Sequence, residues 1–110
     1  MILDILRPIG EKVFAAFGDR RKIRFTVHRG FFVVNGNECF FLNLANLSRN
    51  RDIEITHVYM DCGEQIHALH SDRLLPKRLR PDESWETWVE VQRVPTSLHD
   101  TAYTLGRARL

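Results

Sequence analysis

The densest run of side chains able to ligate a metal or move a proton is DCGEQIHALHSD, residues 61–72. It holds Asp61, Cys62, Glu64, His67, His70 and Asp72, with His57 just upstream. A structural zinc site needs four nitrogen or sulfur donors converging at about 2 Å. Here a single cysteine stands without a second Cys pair, and no His-Glu-x-x-His motif occurs. His67 and His70 point to opposite faces of a strand and converge only on a helical turn. A Cys62–His nucleophilic pair requires a depressed thiol pKa and an oriented base, and neither is encoded nearby. The chain has no Gly-x-Ser-x-Gly elbow, no glycine-rich phosphate loop and no paired carboxylates on a helix face. The sequence therefore predicts no metal, no cofactor and no enzymatic activity. The 57–72 segment reads as a polar loop region at the end of a β-domain.

Cations fall in three groups: Arg20, Arg21, Lys22 and Arg24; Arg49 and Arg51; Lys77, Arg78 and Arg80. Asp19, Asp52, Asp82 and Glu83 dilute each of them. The whole chain carries 16 basic against 14 acidic residues, a net charge of +2. That is too small to argue for nucleic acid, which is not expected as a partner; a basic-patch nucleic-acid binder stays as an alternative. The first group follows an apolar stretch, as in a membrane-surface anchor, so Arg20, Arg21, Lys22 and Arg24 are the candidate contacts to anionic lipid. The competing view makes them a solvated linker.

The remaining candidates lie in RPDESWETWVEV, residues 80–91. Alternation along a strand puts Trp85, Val89 and Val91 on a core face interrupted by Thr87, and Glu86, Trp88 and Glu90 on the opposite face. A tryptophan among acids on an outer face is either a partner-binding anchor or is covered by a loop or by the N-terminal segment. Trp88, Glu86 and Glu90 are thus the candidate partner-binding residues.

These side chains need elements to hold them. A chain of 110 residues is one ordinary domain, able to bury roughly two-thirds of its unfolded surface without a metal or disulfide. Residues 1–22 form an N-terminal helix and basic linker. Pro8 suits the first turn of a helix over 8–17 and Gly18 its C-cap, with Ile9, Val13, Ala16 and Phe17 on the apolar face. Residues 23–110 form the β-domain. IRFTVHRGFFVV is a strand with Gly30 as a candidate bulge, Asn35-Gly36 a hairpin turn, and CFFLNLANL a strand with Phe40, Leu42 and Leu44 on one face. IEITHVYM is the third strand, and DCGE turns into the short piece IHAL. After a proline-bearing loop with a short strand near 78–80 come WETWVEVQRV, residues 85–94, and a final strand in TAYTLGRARL. Strands without intervening helices must pair antiparallel. The two cysteines, Cys39 and Cys62, are too few for a disulfide scaffold. No secretory signal or spanning segment is evident, so the chain is expected to be cytoplasmic with both thiols reduced.

The order NLANLSRNRDIEITHVYMD, a short strand, then LRPDESWETWVEV resembles the small bacterial immunoglobulin-like β-sandwiches, over residues 39–110. DTAY at 100–103 is similar to their tyrosine-corner segment, though one residue short, and the Cys…Trp…Cys signature of antibody domains is absent. The resemblance implies an all-β, antiparallel immunoglobulin-like sandwich of about six to seven strands, preceded by the short amphipathic helix. It implies no function. The expected function is a non-enzymatic protein-interaction module whose partner is a protein, with a small homo-oligomer compatible with it. A membrane-surface accessory protein held by the N-terminal helix is the main alternative.

Overall fold

Alternating β-branched and aromatic residues dominate from Ile23 onward, and they form antiparallel strands throughout. The computed structural model describes residues 23–110 together with the upstream strand β1, Val13–Ala15. The strands that follow are β2 (Ile23–Phe31), β3 (Glu38–Asn46), β4 (Ile53–Ile55), β5 (His57–Asp61), β6 (Gln65–His67), β7 (Lys77–Leu79), β8 (Ser84–Glu90) and β9 (Gly106–Arg109). They assemble as a four-stranded sheet, β1-β2-β3-β8, a three-stranded sheet, β6-β5-β9, and a two-stranded ladder, β4-β7.

One core joins all three. Phe25, Val27, Phe40, Leu42, Leu44 and Val89 come from the four-stranded sheet, Val58, Met60 and Ile66 from the three-stranded sheet, and Ile53, Ile55 and Leu79 from the ladder. The sheets approach closely at Gly106. A Cβ there would lie 2.6 Å from Phe25 Cε1 and 2.9 Å from Val27 Cγ2, so β9 passes behind β2 only because this residue has no side chain.

The β2–β3 hairpin turns where Asn35-Gly36 predicts. Gly36 has φ +73°, and Asn35 Oδ1 accepts a 2.9 Å bond from Asn37 N–H. The loop is wider than two residues, because the closing pair is Phe32 with Asn37 (N···O 3.0 Å). Phe40, Leu42 and Leu44 share the core face as expected.

Several expectations are corrected. Val13–Ala15 pair antiparallel with β2 instead of continuing a helix over 8–17; the rest of that stretch lies outside the described residues. Gly30 is no bulge. The β2–β3 register runs unbroken from Ile23↔Asn46 to Phe31↔Glu38, and Gly30 makes room for the ring of Phe41, 3.2 Å from where its Cβ would be. The strand expected over 53–60 divides at Thr56, pairing first with β7 and then with β6 and β9. The strand expected over 85–94 ends at Glu90, where Val91–Arg93 make a 3-10 turn that buries both Val91 and Val94, a spacing of one such turn. Thr101–Thr104, expected to open the last strand, instead belong to a 3-10 helix over Thr96–Thr104, and β9 is only four residues long.

Candidate functional site

The four-stranded sheet turns its outer face away from the core, and its cross-strand register sets side chains in rows. His28, Phe41 and Trp88 form one row; Thr26, Asn43 and Glu86 form the next. The alternation read from the sequence holds: Trp88, Glu86 and Glu90 lie on this face, while Thr87 and Val89 are buried on the other and Trp85 packs at the core margin.

Trp88 is half-buried and enclosed by aromatic and cationic neighbours. Phe32 meets it edge-on, with centroids 5.1 Å apart, and Phe32 in turn meets Phe41 at 5.3 Å. His70 stacks on it at 4.1 Å, and the Arg73 guanidinium lies 5.4 Å from its centroid. His70 Nε2 also stands 2.6 Å from the Trp88 carbonyl oxygen, which only accepts, so that nitrogen carries the proton. Arg73 Nε donates to the Glu86 carbonyl at 2.9 Å. These two carbonyls belong to the edge of β8 opposite β3. Side chains from a loop thus satisfy groups that a neighbouring strand would otherwise take, which protects the edge against chance pairing. The loop cover weighed for Trp88 is realised by His70 and Arg73.

Burial holds the Glu86 carboxyl above the usual carboxylate range, while His28, a hydrogen bond from Asn43 and Arg73 pull the other way. Glu90 contacts Arg93 at 3.5 Å at the end of β8.

The two loops that reach this row carry exposed large apolar side chains. Val33 and Val34 are 74% and 94% exposed on the β2–β3 hairpin, beside Phe31, and Leu69 and Leu74 are 73% and 71% exposed on the loop that carries His70 and Arg73. Both loops meet at Trp88, through Phe32 on one side and His70 on the other.

The other candidates separate in space. His67 and His70 diverge, His67 to the outer face of the three-stranded sheet and His70 to Trp88. Among the described residues no three His, Cys, Asp or Glu side chains gather as metal ligands. The Cys62 thiol is pushed up by burial, then by Asp61 and Glu64, the reverse of what a nucleophile needs. Cys39 is pushed up to about 11 by burial, then by Glu90 and Glu38. The two cysteines are unbridged. Of the cationic groups, Arg78 pairs with Asp52 at 3.5 Å, and Arg24 is exposed on β2. Arg20, Arg21 and Lys22 lie outside the described residues.

No family model, curated protein or solved structure matches the chain. Among the described residues no helix is long and apolar enough to cross a membrane.

Sequence reasoning missed His70 and Arg73 as the cover of Trp88, and Val33, Val34, Leu69 and Leu74 as exposed residues of the loops that reach it. HALHSDRLL carries the signal in retrospect, since two exposed leucines flank a histidine and an arginine in a polar loop.

Proposed function

We propose that the chain is an immunoglobulin-like sandwich acting as a non-enzymatic protein-interaction module, with the apolar rim around Trp88 as its contact surface. The fold part draws support from strand order. β2-β3-β8 and β6-β5-β9 correspond to the A-B-E and C′-C-F neighbours of an immunoglobulin domain, and the 3-10 helix Thr96–Thr104 occupies the E–F crossover. Tyr103 lies in that helix, where a tyrosine corner would sit.

The functional part rests on one observation: the two loops that reach Trp88, through Phe32 and through His70, also carry Val33, Val34, Leu69 and Leu74, all largely exposed. Apolar side chains concentrated in this way mark association surfaces. Trp88 supplies the rigid centre, locked by Phe32, His70 and Arg73, and the aliphatic rim supplies the area that a partner would cover. The partner is a protein presenting an apolar segment. The membrane-surface alternative depends on residues 1–24, and the anionic-lipid contacts assigned to Arg20, Arg21, Lys22 and Arg24 stay with it.

Rim variants test this better than Trp88→Ala, because Trp88 has internal contacts whose loss would also weaken the fold. Val34→Ser and Leu74→Ser should leave the melting temperature unchanged. Each should weaken a partner captured by the wild-type chain, then purified and titrated back, by about tenfold. If every captured protein binds both variants as tightly as the wild type, the rim is not the contact surface. Sedimentation with anionic vesicles that is lost in the same variants would make the rim a membrane contact instead.

A further inference from the structure

The outer face of the three-stranded sheet, a different sheet from the one that carries Trp88, holds a second cluster. Tyr59 sits on the central strand, directly across from His67 on β6 and Arg107 on β9, and His57 lies across from Arg109. The His67 ring is 5.1 Å from Tyr59 and 5.8 Å from His57, centroid to centroid. The Arg109 guanidinium lies 5.4 Å from the Tyr59 centroid, and among the described residues its hydrogen-bond partner is Gln65 Oε1, at 3.4 Å. Arg107 donates from Nη1 to the Thr104 and Gly106 carbonyls, which leaves its other N–H groups available. Arg29, Arg73, Arg78 and Arg93 each face a carboxylate; among the described residues neither Arg107 nor Arg109 does. The acids Asp61 and Glu64 stand beyond the cluster, at the β5–β6 turn.

We propose that this face binds single-stranded nucleic acid, with bases stacking on Tyr59 and the flanking histidine rings and phosphates held by Arg107 and Arg109. Three observations converge. Ring side chains lie on the outer face of a sheet, His57 exposed and Tyr59 and His67 half-buried, where an unpaired base that displaces the Arg109 guanidinium can stack and duplex bases cannot. Arg107 and Arg109 alternate on one strand, so they stand about 7 Å apart, a step that suits successive phosphates of an extended strand. On β9 itself the ring positions are bordered by the cations Arg107 and Arg109 with no acid between them. A net charge of +2 conceals this arrangement, because the sum over the chain does not report where the charge lies.

The test is fluorescence anisotropy of the full chain with labelled single strands of roughly 12 nucleotides at low salt. Tyr59→Ala should weaken binding by about tenfold, and Tyr59→Phe should retain it. Arg107→Ala with Arg109→Ala should reduce the slope of log K against log salt by about 1.4, the release of two phosphate contacts. Val34→Ser should bind like the wild type, which separates this surface from the one around Trp88. A wild-type chain that shows no binding at low salt overturns the proposal. So does equal affinity for a duplex of the same length, or a correctly folded Tyr59→Ala variant that binds as well as the wild type.

Discussion

Replacing Asn46 should be among the most damaging single changes available to this fold. Its side chain is fully buried, with 0% exposure, at the end of β3. Nδ2 donates to the Arg51 carbonyl at 2.8 Å and to the Leu79 carbonyl at 3.0 Å, and Oδ1 accepts from Ser48 N–H at 2.9 Å. The backbone of Asn46 is tied to the 82–83 turn as well, through Glu83 O and Asp82 N–H, each at 2.9 Å. One amide therefore fastens the end of β3, the polar turn after it and β7. Asn46→Ala removes three hydrogen bonds, each contributing about 1 kcal/mol net, and leaves two carbonyls and one N–H without their partner in a largely closed site, for a total near 4 kcal/mol. That is a large share of the roughly 5–15 kcal/mol that stabilises a domain. Asn46→Asp sharpens the test. The carboxylate keeps the Ser48 bond but faces two carbonyl oxygens with no proton, so its cost should be greater at about pH 7 than at about pH 4, where a protonated acid can donate again. Urea unfolding at both pH values measures this. An Asn46→Ala loss below about 1 kcal/mol, or an Asn46→Asp variant equally stable at both pH values, would refute the proposed role of the amide.

Two further outcomes follow from the packing and the electrostatics. Gly106→Ala should destabilise by about 1–3 kcal/mol through overpacking against Phe25 and Val27, read as a lowered urea midpoint; an unchanged midpoint would mean the sheets separate freely there. Glu86 has a carboxyl pKa raised by burial, so its contribution to stability is complete below the ordinary carboxylate range and declines as pH rises through the folded-state value. Glu86→Gln should accordingly raise the melting temperature at about pH 7 and lose that advantage at about pH 4; a variant less stable than wild type at neutral pH would show that His28, Asn43 and Arg73 outweigh the burial.

Local pattern determined a good deal. Period-two alternation assigned Phe40, Leu42 and Leu44 to the core and Glu86 and Trp88 to the opposite face, because a pleated strand leaves each side chain no third choice. Asn35-Gly36 located the hairpin, since the turn needs a positive φ that Gly36 supplies without a steric cost. An all-antiparallel arrangement followed from strands with no helix long enough to cross between them. Which strand neighbours which was beyond that pattern. The division at Thr56 depends on β4 and β5 finding different partners, and the 3-10 segments after Glu90 depend on where Val91 and Val94 reach the core. Asn46 reads as an ordinary strand residue until Leu79, 33 positions away, supplies the carbonyl it binds. His70 and Arg73 become the cover of Trp88, and Tyr59, His67 and Arg109 become one cluster, only when segments distant in sequence are folded together. Side-chain periodicity is a property of consecutive residues, whereas sites are built by long-range pairing, whose register is settled by the core as a whole.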